Sequence, residues 1–257
     1  MEQYTVLAGL YDEYMNDVDR EAWARYAMNC ISRAAVGRNA SVLECGCGTG
    51  AVTIPLKKAG YNVIGTDISD DMLAVAVENA RKAGLLIPFV RMDMRSLSVH
   101  RPVDVVLACC DCVNYLTSPE DVRAFLRSAH DVLKIGGVLL FDVSSRYKLE
   151  YLLGNYCYND SREDSAYLWQ NNYDPESSLI EMRLEFFVRS GEACRPGEKP
   201  LYERHTETHI QRGHTQEELT AWLDEAGFAS VRAFDAFTFD PPRADSERIQ
   251  FFAVRAR

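Results

Sequence analysis

The chain has 257 residues, 47% of them hydrophobic, and a formal net charge of −10 at pH 7. That length suits one large α/β domain with an insertion, or two small domains. No window approaches 18 unbroken apolar residues, which excludes a helical membrane span, and the acidic balance with no basic run argues against a broad nucleic-acid surface. The N-terminal run MEQYTVLAGLYDEYM has no basic n-region and does not read as an export signal. The expected location is therefore the cytoplasm, with the eight cysteines as reduced thiols.

In chain order, residues 1–18 form an aromatic arm with Tyr4, Tyr11 and Tyr14. Asp19 is placed to cap a helix over 20–36, where Trp23, Tyr26, Ala27 and Cys30 recur at helical spacing. The first strand is Ser41–Cys45, followed by a helix at 49–59 and a second strand at 62–66. Ser69 caps a helix that reaches Ala83, and Gly84 ends it. A third strand lies at 86–91, and the continuous apolar run DVVLACC (104–110) predicts a fourth, buried on both faces. Ser118-Pro119-Glu120-Asp121 predicts a helix start, with cap, proline and first-turn acids in order. That helix is expected to run to Lys134, break at Gly136-Gly137, and lead into a fifth strand, 138–143. A short helix near 145–153 follows. Residues 156–212 are rich in Tyr, Phe and Trp with polar turns, which predicts three or four antiparallel strands inserted into the main pattern. Thr215-Gln216-Glu217-Glu218 is a capping box opening a helix that stops at Gly227. Segments 228–238 and 248–255 read as a closing antiparallel pair. The expected architecture is an α/β domain with helices on both faces of a mostly parallel sheet.

The most informative stretch is VLECGCGTG, residues 42–50. A short strand ends in a carboxylate, Glu44, and runs into glycines at alternate positions, Gly46, Gly48 and Gly50. Such a turn lets the backbone approach a ligand where any Cβ would collide. Gly46-x-Gly48-x-x-Ala51 also fits the relaxed dinucleotide fingerprint, which seats a pyrophosphate. Glu44 would repel that group, whereas it suits a ligand bearing an ammonium and a sulfonium. Further acids, Asp67 and Asp93, fall at the ends of the second and third strands. A carboxylate about 20 residues past the glycine turn is placed for ribose hydroxyls in either kind of enzyme.

The run Glu-x-Gly-x-Gly-x-Gly resembles the first motif of class I S-adenosylmethionine-dependent methyltransferases. Four further segments resemble a bacterial small-molecule-type subgroup: YDEYMNDVDREAW (11–23), CCDCVNYL (109–116), YLWQNNYD (167–174) and ERHTETHIQR (203–212). The resemblance implies a Rossmann-like seven-stranded sheet of order 3-2-1-4-5-7-6 and a domain made of 1–155 and 213–257. The 156–212 insertion would form part of the substrate pocket. It implies S-adenosylmethionine as cofactor, held by Glu44, Cys45, Gly46, Gly48, Asp67, Ile68, Met72, Asp93, Met94, Cys109 and Cys110. Tyr11 and Trp23 would fold over it as a lid. Asp93 and Met94 would bracket the adenine, and carbonyls near Cys109 or Cys110 would hold the cofactor ammonium.

Asp111, Asn114 and Tyr115 are expected to face the acceptor, an unidentified small molecule, with the alternative that Asn114 and Tyr115 only cap the turn before Ser118. His205, Glu207, His209 and Gln211 alternate, so a strand would put them on one face, either lining a pocket or forming an exposed polar surface. Asp111, Tyr115, His205 and His209 are the candidate catalytic groups. Cys45, Cys47, Cys109, Cys110 and Cys112 converge in this reading, but their spacing is not that of a zinc knuckle, and no metal is expected. A nicotinamide oxidoreductase and a non-catalytic cofactor-binding module stay open as alternatives, as does a transfer-RNA acceptor; oligomeric state is not legible.

Overall fold

The computed structural model describes residues 20–34, 36, 37, 39–190 and 200–256. The expected arm, with Tyr11 and the Asp19 cap, lies outside these residues. The elements of the main layer are α1 (Arg20–Arg33), β1 (Ser41–Cys45), α2 (Thr53–Lys58), β2 (Asn62–Asp67), α3 (Asp70–Lys82), β3 (Phe89–Arg91), β4 (Val103–Ala108), α4 (Pro119–Val132) and β5 (Leu133–Ser144). An inserted meander follows: β6 (Cys157–Ser161), β7 (Ser165–Asp174), β8 (Leu179–Ser190) and β9 (Leu201–Arg212). The chain then closes with α5 (Gln216–Glu225), β10 (Phe228–Asp235) and β11 (Arg248–Arg255).

The main sheet runs β3-β2-β1-β4-β5-β11-β10, and β6 to β9 form a second, four-stranded sheet. Counted within the main sheet, β10 and β11 are its sixth and seventh strands, so the order is 3-2-1-4-5-7-6. β1, β2, β3, β4 and β5 are parallel, while β11 is antiparallel to both β5 and β10. Neighbouring β1 and β4 connect outward to opposite sides, which makes the carboxyl ends of these two strands the switch point where open α/β sheets bind ligands.

The apolar run of β4 divides between the two faces of the sheet because successive side chains alternate. Val106 and Ala108 join the core under α4 and α5. Val105 and Leu107 join the core under α1 and α2. The insertion has its own small core, with Leu149, Ile180, Met182, Leu184 and Phe186. Among the described residues no helix is long and apolar enough to cross a membrane.

Several boundaries differ from the sequence reading. β4 stops at Ala108 rather than Cys110, because Cys110 and Asp111 turn the chain with φ of 61° and 53°. Two consecutive non-glycine residues in the left-handed region store strain beside the switch point. Glycines 136 and 137 do not break the chain between helix and strand. They lie within β5, whose register with β4 shifts between Val103 and Val105 to absorb them. α2 begins at Thr53, not 49, since the glycine turn occupies the intervening residues, and β3 keeps only three residues.

Candidate functional site

A cavity of about 310 Å³ opens at the switch point. Its floor is the glycine turn after β1 with the ends of β4 and β5, and its opposite wall is the inserted sheet. Glu44, Gly46, Gly48, Cys109, Cys110, Asp111, Tyr115 and His209 all line it, joined by Trp23 from α1. Tyr167, Trp169, Met182, Leu184 and Phe186 supply the apolar wall.

The turn has its shape for a steric reason. Gly46 has φ +63° and lies so close to Cys112 that an added Cβ would sit 2.9 Å from the Cys112 Cβ. Gly48 has φ +52°, and an added Cβ there meets nothing within 4 Å. The first glycine packs against the floor; the second opens on free space. The Gly48 amide donates to Asp67 Oδ2 at 2.9 Å, and the Ser69 amide donates to Asp67 Oδ1 at 2.9 Å. Asp67 therefore ties the glycine turn to the start of α3, whose Ser69 cap accepts from the Met72 amide.

Glu44 is 2% exposed, and the Thr53 hydroxyl donates to it. Burial pushes its carboxyl up to about 8, with the nearby Asp67 adding to the rise and Thr53 opposing it. It is mostly neutral at pH 7 until a cation arrives. This fits a cofactor that brings an ammonium: a buried acid beside an open glycine turn gains a counter-ion it lacks.

A second group of charges anchors the other side. Arg248 of β11 donates to Asp111 Oδ1 at 2.8 Å and to Asp142 of β5. The Asp111 amide donates to Asp142 at 3.0 Å, and Gln211 donates to Asp111 Oδ2 at 2.9 Å. Despite burial, the Arg248 charge with Gln211 and Lys148 holds Asp111 below the usual carboxylate range. Asp142, only 1% exposed, goes up to about 6 through desolvation. Arg248 also packs 4.8 Å over the Trp23 ring. Trp23 is itself buried against Phe237, so it is a fixed wall of the cavity.

The alternating face of β9 is buried, not an exposed polar surface. Glu207, His209 and Gln211 are 2%, 3% and 4% exposed. Tyr115 Oη lies 3.1 Å from His209 Nδ1, and His209 Nε2 lies 3.2 Å from Glu207 Oε2. His205, further along the same strand, is only partly buried, stands 3.8 Å from Glu203, and is not among the lining residues.

Other expected site residues stand away from the cavity wall. Asn114 does not face an acceptor. It is fully buried, donating at 2.9 Å to the carbonyls of Ser144 and Arg212 and accepting from the Ser144 amide at 2.9 Å. It clasps β5 and β9 to the turn after β4. Cys45 is buried beneath the floor, and desolvation raises its thiol to about 12. Desolvation likewise raises the Cys47, Cys109, Cys110 and Cys112 thiols, so these groups stay protonated and behave as small apolar side chains. Asp93 caps a short turn at Met94–Ser96 and is gripped by Arg95, which also reaches Asp121 at 2.8 Å. Met94 packs against the main core, Met72 is buried and Ile68 is exposed. Asp67, Ile68, Met72, Asp93 and Met94 are thus not among the lining residues of the cavity.

Arg248, Asp142, Lys148 and the wall residues Tyr167 and Trp169 were not legible as site residues. Arg248 lies 137 positions from its partner Asp111, and no local spacing joins them.

A family model described as a methyltransferase domain matches residues 42–137. A protein of Geobacillus sp. (strain WCH70), named for the methyltransferases, is 32% identical over 252 residues, covering 98% of this chain and 99% of that one. An S-adenosylmethionine-dependent methyltransferase from Clostridium acetobutylicum ATCC 824 shares the structure with a TM-score of 0.85 at 27% identity, covering 99% of both chains. CalS10 from Micromonospora echinaspora, an amino pentose methyltransferase solved with S-adenosylmethionine bound, shares the fold with a TM-score of 0.71 at 19% identity, covering 100% of this chain and 99% of that one. The likeness runs through the inserted sheet as well as the nucleotide-type half, and the chain belongs to the class I S-adenosylmethionine-dependent methyltransferases.

Proposed function

We propose that the enzyme transfers the methyl group to a small-molecule acceptor held between the glycine turn and the inserted sheet. The observation that carries this reading is the cavity itself. It lies at the switch point and joins the cofactor turn to an apolar wall, as small-molecule pockets do. S-Adenosylmethionine supplies the methyl group already activated on its sulfonium.

In this reading Glu44 meets the cofactor ammonium together with backbone carbonyls near Cys109 or Cys110, and Gly46 and Gly48 allow close approach of the backbone. Asp67 serves the ribose hydroxyls while keeping its bonds to the Gly48 and Ser69 amides. Asp93 and Met94, with Ile68 and Met72, take the adenosine end; Arg95 must share Asp93 with it. Trp23 and the inserted sheet exclude water, which leaves alignment as the main work of the protein. Asp111 is a poor base because Arg248 holds it ionised, and it acts instead to fix the wall. Residues 156–212 act as a substrate-binding insertion within a domain built from 1–155 and 213–257.

The test uses methyl-labelled S-adenosylmethionine with a low-molecular-weight metabolite filtrate and, separately, with bulk transfer RNA. Label is expected in the filtrate. Label in transfer RNA, or in neither, contradicts the small-molecule reading.

A further inference from the structure

The cavity carries a polar chain that cofactor binding does not need. Tyr115 and His209 both line it, while Glu207 stands behind His209, buried away from the lining. With Glu207 ionised its carboxylate only accepts hydrogen bonds, which puts the imidazole proton on Nε2, facing Glu207 at 3.2 Å. Nδ1 is then the acceptor for the Tyr115 hydroxyl at 3.1 Å. The order of the chain is cavity, phenol, imidazole, carboxylate: a base oriented by a third group behind it.

The charges around the cavity say which acceptor this chain suits. Facing it are Glu44 from β1, Asp111 from the turn after β4, Lys148 from the segment after β5, and Arg248 from β11. Arg248 is committed to Asp111 and Asp142, and Asp111 also receives Gln211. Glu44 is mostly neutral at pH 7, and in the proposed function its ionised form is taken by the cofactor. Lys148 makes no salt bridge with a described residue, though its charge helps hold Asp111 ionised and burial lowers its own pKa. Among the described lining residues no carboxylate is therefore left to greet an ammonium, and the cations Lys148 and Arg248 already stand there. A protonated amine is a poor guest; a hydroxyl group on an apolar or aromatic body meets Tyr167, Trp169 and Phe186 and, on a neighbouring strand of the same inserted sheet, the base.

We propose that the acceptor is a hydroxyl compound with an aromatic or apolar body, and that Tyr115 and His209, positioned by Glu207, take its proton. This rests on the methyltransferase reading above and names the substrate class for it. The acceptor proton moves to the Tyr115 oxygen as the Tyr115 proton moves to His209 Nδ1. The acceptor oxygen keeps the O–H electron pair, and that pair forms the new bond to the methyl carbon. The pair of the broken carbon–sulfur bond stays on sulfur, leaving a neutral thioether, and the imidazolium later gives its proton to water. Glu207 is a positioning residue, since it stabilises the imidazolium without touching the acceptor.

The test is optical. 4-Nitrophenol is titrated into the protein saturated with S-adenosylhomocysteine, at a pH where the free phenol is mostly protonated. The bound probe is expected to show the phenolate absorbance. Tyr115→Phe and His209→Asn are expected to bind S-adenosylhomocysteine as the native protein does, which shows that they fold, but to leave the probe neutral. Glu207→Gln is expected to lower the bound phenolate fraction about tenfold. The proposal is overturned if the bound probe stays neutral in the native protein, if His209→Asn ionises it equally, or if only Lys148→Met abolishes the ionisation. It is also overturned if 4-nitroaniline binds and 4-nitrophenol does not, or if neither binds. Loss of S-adenosylhomocysteine binding in the native protein is a separate failure, that of the methyltransferase reading.

Discussion

Glu44 shows how one residue can be expensive for the fold and useful to the site. Its carboxyl is raised from 4.5 to about 8 because burial penalises the charge. Between those values the native state holds a proton that the unfolded chain has lost. The stability tied to Glu44 is therefore complete below about 4.5 and is lost as pH rises through about 8. Glu44→Gln should flatten this slope, making the variant more stable than the native protein above pH 8. Urea denaturation at pH values between 4.5 and about 8 checks it, and a slope equal to that of the native protein counts against the assignment. Burial raises Asp67 in the same direction, and the Gly48 and Ser69 amides, which donate to its two oxygens, oppose that rise. Asp67→Ala should cost roughly 1–3 kcal/mol of folding stability and weaken S-adenosylhomocysteine, read by denaturation and calorimetry. Unchanged values in both would remove Asp67 from the turn's support. Both residues were legible in the sequence, Glu44 because alternate glycines follow its strand and Asp67 because it ends the next strand about 20 residues past the glycine turn. The Arg248–Asp111–Asp142 cluster was not, because its members meet only when β11 inserts beside β5.

At the scale of elements, local chemistry predicted the capped helix starts best. Ser69, Ser118 and Thr215 cap their helices as their spacing indicates, and the Thr215–Glu218 box has both of its bonds. Thr215→Ala should cost about 1 kcal/mol, measured by thermal or chemical unfolding. The end of β4 was misplaced because Cys109 and Cys110 continue an apolar run, and nothing in composition reveals left-handed backbone at Cys110 and Asp111. Glycines 136 and 137 misled for the converse reason, since a register shift accommodated them. Asn114 was misread as an acceptor contact. Polar residues near a strand end look alike in sequence, and only the structure distinguishes a clasp from a ligand group. Asn114→Ala should cost about 2–3 kcal/mol, because it strands buried groups of Ser144 and Arg212 without partners. A change within a few tenths of that expected for an exposed asparagine would contradict the clasp.

For the whole molecule, the architecture divides the labour. The main sheet buries one core on each face and leaves its switch point open. The inserted sheet has a core of its own and closes over that opening, supplying the aromatic wall and the His209–Glu207 pair together. The alternation of strands and helices made the first half readable, while the contribution of the insertion depended on which face of β9 turned inward. The central claim is that a cation-bearing cofactor enters beside a buried, protonated Glu44. Calorimetric titration of S-adenosylhomocysteine at pH 7, repeated in buffers of different ionisation enthalpy, tests it most directly. The account predicts saturable binding with release of up to about one proton, a release that Glu44→Gln abolishes. Binding without proton release, the same release from Glu44→Gln, or saturation by NADH in place of S-adenosylhomocysteine would contradict it.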